Sequence, residues 1–210
     1  MENFQRDLEL TEQLGDKQGI AIALGLIGEL HSIEGRFHQA IEYLQKNLML
    51  CEELGYQKGI DKALNTLGDV FFFSRQYDRS LQVYDRAIEV TRRINNRLVL
   101  GLSLTEKGLV LLETKQLAVL DPLVREALEI AAELGNPDLL FEAQILAAKQ
   151  HRELGRREEA MAVLQQLQSH HLRLDQQAAV HYEFYLLFPQ EDHHRARALE
   201  QYEDLYRVTP

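Results

Sequence analysis

The chain has 210 residues, 45% hydrophobic and 27% charged, a balance that fits neither a disordered chain nor a membrane protein. Its 23 Lys and Arg against 33 Asp and Glu leave a net charge of −10, which argues against a nucleic-acid backbone as main partner, because phosphate binding needs a concentrated basic face. A single cysteine allows no internal disulfide, apolar runs stop short of the roughly 18 residues of a membrane span, and no signal-peptide pattern opens the chain, so the expected location is cytoplasmic.

Four prolines and twelve glycines leave little material for a turn-rich β fold, while Ala, Leu, Glu, Gln and Arg favour helix. The elements follow an internal period. Glu12-Gln13-Leu14-Gly15-Asp16 returns as Glu52-Glu53-Leu54-Gly55-Tyr56, Arg92-Arg93-Ile94-Asn95-Asn96 and Ala132-Glu133-Leu134-Gly135-Asn136, with a further echo at Leu172-Arg173-Leu174-Asp175-Gln176, each 40 residues from the last. Residues 2–14 read as a lone second helix, either a cap or a sign that the chain is a fragment of a longer protein. Helix pairs are expected over 17–54, 57–94, 97–134 and 137–174, and a divergent repeat or cap over 175–208.

Within the first pair, one helix runs from about Lys17 to His31 with Gly28 near its middle, and the same place carries Gly68, Gly108 and Ala148. Glycine inside a helix costs about 1 kcal/mol relative to alanine, and close approach of two helices is the compensation. The second helices carry small residues at Ala40, Ser80 and Ala160 and an apolar stripe through Leu44, Tyr84, Val124 and Leu164, spaced to stay on one helix side. Lys107 and Leu120 break this pattern, and Asp121-Pro122 near a helix start predicts an altered turn in the third repeat.

These positions resemble the tetratricopeptide repeat family in a long form of about 40 residues, best over 17–170. The resemblance implies an all-α, right-handed superhelical solenoid of antiparallel helix pairs that binds peptides or protein segments on a concave groove lined by its first helices. Carried over by position, that face holds Glu29, Lys62, Asn65, Asp69, Phe72, Phe73, Thr105, Lys149 and Arg152. Lys62, Asn65 and Asp69 share one helical face, and an asparagine there can both donate to and accept from a peptide backbone.

No catalytic constellation can be assembled, and no cofactor is expected. His170-His171 and His193-His194 are adjacent pairs, read as surface residues, and no metal motif occurs. His31 and His151 are expected to be partly buried and hydrogen-bonded, and Cys51 a small buried residue. The expected function is a non-enzymatic interaction module or scaffold for a protein or peptide partner. Two alternatives stand beside it. One is a regulatory or sensor domain of a larger signalling or transcription protein. The other is a self-assembling homo-oligomer through the repeat ends, with Phe4, Leu8 and Leu10 at one end and Tyr202 and Tyr206 at the other.

Overall fold

A residue in the left-handed region punctuates the chain every 20 positions: Gly15, Gly35, Gly55, Arg75, Asn95, Lys115, Gly135 and Gly155, with φ between 55° and 72°. In this computed structural model, which describes residues 2–190 and 192–208 (without the side chains of Glu2, Asp192, Tyr206 and Val208), they separate helices most of which run 17 or 18 residues. The helices are α1 (Glu2–Leu14), α2 (Lys17–Ile33), α3 (Phe37–Glu53), α4 (Gln57–Phe73), α5 (Tyr77–Arg93), α6 (Arg97–Glu113), α7 (Leu117–Leu134), α8 (Pro137–Glu153), α9 (Arg157–Gln168), α10 (Leu174–Leu187) and α11 (Asp192–Val208).

The turns are closed by backbone. Past each left-handed residue an N–H reaches back five residues, as in Arg36 to His31 O at 2.8 Å, Gln76 to Phe71 O at 2.8 Å and Arg156 to His151 O at 2.9 Å. This is the Schellman arrangement, which satisfies carbonyls the helix end would otherwise leave open. The donor residue then caps the next helix, since Arg36 O accepts from Ala40 N–H and Gln76 O from Ser80 N–H. Some starts also have a side-chain cap: Asp16 accepts from Gly19 N–H, Asn96 from Val99 N–H, and Asn136 from Leu139 N–H with Pro137 in the first turn.

The expected altered turn in the third repeat is absent. Lys115 adopts the same left-handed conformation, and Gln116 N–H reaches Leu111 O at 2.8 Å. Pro122 lies within α7. Its missing donor would have bonded the carbonyl of Ala118, and both residues are exposed, so the freed carbonyl is not sealed in the core. The fifth echo also differs: α9 ends at Gln168, and the segment aligned with the ends of second helices instead begins α10 at Leu174.

The chain divides into two units, residues 1–110 and 111–210, the division falling inside α6. Both are all-α and built of antiparallel helix pairs. In the first unit α2 packs on α3 and α4 on α5, with α2 also against α4. Its core gathers Ala21, Ala40, Leu44, Leu48, Ile60, Leu64, Leu67 and Phe71. In the second, α8 packs on α9 and α10 on α11, with α8 also against α10, around Phe141, Ile145, Ala148, Ala160, Leu164 and Phe184. First helices are thus neighbours in each unit.

The small positions mark close approaches. A Cβ on Gly28 would lie 2.7 Å from Leu44 Cγ, and one on Gly68 2.5 Å from Tyr84 Cζ. Ala40, Ser80 and Ala160 are fully buried, and Ser80 donates its hydroxyl to Gly68 O at 2.8 Å. Lys107 resolves its misfit by extending its ammonium to Asp85 at 2.5 Å. At the ends, Phe4 and Leu8 are half-buried, Leu10 and Tyr202 exposed, and the side chain of Tyr206 lies outside the described residues.

Candidate functional site

In the first unit an open groove of about 520 Å³ runs between α4 and α6. Its α4 wall presents Lys58, Asp61, Lys62, Asn65 and Asp69, which recur at three- and four-residue steps on one helical face. Opposite stand Val99, Leu102 and Glu106 of α6, with Asn96 at the helix entrance. A smaller hollow of about 220 Å³ lies on the other side of α4, against α2, where Gly25 and Gly59 leave room beside Glu29 and Asn47. Lys58 and Lys62 line both, so they form the ridge between two depressions.

The polar groups are largely committed. Lys62 pairs with Glu29 at 2.7 Å. Asn65 donates to Asp61 O at 2.8 Å and accepts the Ser103 hydroxyl at 2.7 Å. It therefore ties α4 to α6 and retains one amide N–H and one acceptor site. Asp69 accepts the Tyr84 hydroxyl at 2.5 Å, and burial raises the pKa of both groups. Asp61 is 4% exposed; burial raises its pKa, partly offset by a hydrogen bond with Asn96, and its Oδ1 has no hydrogen-bond partner.

The other expected groove residues lie elsewhere. Thr105 is buried, its hydroxyl donating to Leu102 O at 2.7 Å, because its place on α6 faces inward. Phe72 is half-buried with its ring against Tyr77, and Phe73 is exposed at the end of α4; neither lines the groove. Lys149 and Arg152 belong to α8 in the second unit, where Arg152 Nε meets buried Glu183 at 3.0 Å.

Asp61 is the residue that sequence reasoning passed over, although a signal was present. Positions 21, 61, 101 and 141 correspond across the repeats and hold Ala, Asp, Gly and Phe, all buried. A carboxylate at one such inward position is an anomaly that the 40-residue alignment exposes.

Three histidine readings also change. Nδ1 of His31 and of His151 is buried without a hydrogen-bond partner, while the His31 ring stacks on Tyr43. His194 is half-buried, its Nδ1 3.1 Å from that of His181 and its ring stacked on Phe184. Cys51 is a buried free thiol whose pKa burial pushes up, which suppresses its reactivity. Among the described residues no group of three or more His, Cys, Asp or Glu could hold a metal ion, and no helix is long and apolar enough to cross a membrane.

A tetratricopeptide repeat family model matches residues 19–93, which span α2 to α5 and include the α4 wall of the groove. The α2/α3 and α4/α5 pairs lie within the matched residues. This is a tetratricopeptide-like repeat fold. Among solved structures, the Rap conjugation gene regulator of plasmid pLS20, in complex with the Phr* peptide, superposes with a TM-score of 0.76 at 15% identity, over 93% of this chain and 56% of that one. BtubC from P. vanneervenii gives 0.75 at 12% identity, over 99% and 91% of the two chains. Aspartyl phosphate phosphatase F from Bacillus subtilis gives 0.72 at 17% identity, over 92% and 50%. At these identities the likeness is one of tetratricopeptide-like fold. Among curated proteins, none matches the chain by sequence.

Proposed function

We propose that the chain is a non-enzymatic interaction module that binds an extended peptide or protein segment along the α4/α6 groove. The observation that supports this reading most is the groove itself, which joins apolar Val99 and Leu102 to charged groups of both signs. The Ser103 hydroxyl of α6 donates to Asn65 of α4, which ties the two walls together before any ligand arrives. A preformed site leaves most of the ordering cost on the flexible partner, and the apolar patch supplies area while the charges set register. The pLS20 regulator, similar in fold, was solved with a peptide bound, which favours the same ligand class here.

Selection of phage-displayed random heptapeptides on the wild-type protein and on Leu102→Asp tests this. Leu102 is 39% exposed, so the substitution is compatible with folding. The wild type should enrich a family of related peptides that the variant binds at least tenfold more weakly. No enrichment, or equal binding by a folded variant, would overturn the groove as the site.

A further inference from the structure

We infer that the groove is anchored by a basic side chain of the bound segment, an arginine or lysine whose aliphatic stem lies on Val99 and Leu102 and whose charged head is taken by Asp61. This deepens the peptide-binding reading and rests on it.

The argument starts from an unsatisfied atom. Asp61 lines the groove, is 4% exposed, and leaves Oδ1 with no partner. Buried carboxylate oxygens are almost always hydrogen-bonded, because losing water without a replacement is costly. Asn96 bonds the same carboxylate but leaves Oδ1 unserved. The nearby ammonium of Lys62 is engaged by Glu29. What Oδ1 lacks is a donor, and a donor can come from the groove that Asp61 lines.

The surroundings select its charge. Lys58 and Lys62 stand on the ridge shared with the α2 hollow, whereas Asp61, Asp69 and Glu106 line only the α4/α6 groove. Away from the ridge the groove is therefore acidic. Asp69, which accepts from Tyr84, adds acidic character about two turns further along the same wall. Burial raises the pKa of both aspartates, so their ionised forms gain from an incoming cation. Leu102, 39% exposed, and Val99 offer an apolar surface of the kind on which long basic side chains lay their methylene stems. A guanidinium presents several donors in a fixed plane and is more weakly hydrated than an ammonium, so arginine should bind more tightly than lysine.

The test uses the peptides enriched by the heptapeptide selection, labelled with fluorescein and followed by anisotropy. They should share an Arg or Lys beside an apolar residue. Replacing that Arg by citrulline, which is isosteric and neutral, should weaken binding to wild type about tenfold or more, the range for a hydrogen bond to a charged group. On Asp61→Asn the same replacement should matter less than about twofold, since the partner charge is already gone. Peptides that bind in the groove, as judged by loss on Leu102→Asp, but show no basic preference or an equal citrulline effect on both proteins, would overturn the inference and leave peptide binding standing. If no peptide depends on Leu102, the peptide-binding reading fails and the inference with it. The citrulline comparison on wild type needs no protein variant, so a poorly folded Asp61→Asn would not rescue the idea.

Discussion

A methyl group added at Gly68 should unsettle both the core and the groove. Built on the backbone, it would lie 2.5 Å from Tyr84 Cζ, 2.7 Å from Cε1 and 2.8 Å from Cε2. Carbon atoms rest about 3.5–4.0 Å apart, so the ring must withdraw by about 1 Å. Tyr84 is 1% exposed and its hydroxyl donates to Asp69, so withdrawal strains a packed site and stretches that bond. Alanine gains about 1 kcal/mol of helix propensity. Against it stand about 1–3 kcal/mol for overpacking and about 1.5–3 kcal/mol for a hydrogen bond to a charged acceptor. Gly68→Ala should therefore lose roughly 1.5–5 kcal/mol in equilibrium urea unfolding, against the direction propensity alone predicts. The second unit shows the remedy: there Ala148 and Leu164 hold the corresponding positions in one core cluster. Gly68→Ala with Tyr84→Leu should be more stable than the two single losses imply, by about 1 kcal/mol or more of coupling. A Gly68→Ala protein as stable as wild type, with no coupling to position 84, would refute the close-packing account.

Three further outcomes follow from named residues. Arg75 holds φ at 60°, where a Cβ is strained, so Arg75→Gly should stabilise by about 0.5–1 kcal/mol in thermal melts, and a loss would show that the turn relies on the side chain. Asp61→Asn should raise Tm at pH 7: a group with a raised folded-state pKa stabilises the fold at low pH and loses that contribution as pH rises, so the gap should close as pH falls. Burial first, then the charges of His194, Arg197 and His193, depress the pKa of His181, so its contribution is present above the unfolded value near 6.5 and lost as pH falls below it. Amide exchange in α10 and α11 should therefore quicken from pH 7.5 to 5.5 beyond the intrinsic pH effect, and His181→Gln should blunt the change; an unchanged response in the variant would remove His181 as the cause.

The repeat was legible because every period must bury the same helix faces, and burial writes itself into residue type at Leu44, Tyr84 and Leu164. The turns were harder to read. Glycines at 15, 35, 55, 135 and 155 mark a 20-residue beat, but Arg75, Asn95 and Lys115 take the same conformation without the glycine that advertises it. At the groove, three- and four-residue spacing put Lys62 and Asp69 on one face of α4, and both line the groove. Spacing could not reveal that Ser103 bonds Asn65, nor that Thr105 turns inward, because both depend on the neighbouring helix. Asp61 was hidden for the opposite reason: it occupies an inward position, where polarity reads as tolerated noise until the unpartnered oxygen is seen.

Peptide binding in the α4/α6 groove is tested most directly by hydrogen exchange of the full chain with and without a selected heptapeptide. Protection should rise over residues 57–73 and 96–106 and be lost in Leu102→Asp. Protection confined to α10 and α11, or to α1, would place the binding surface elsewhere and contradict the account.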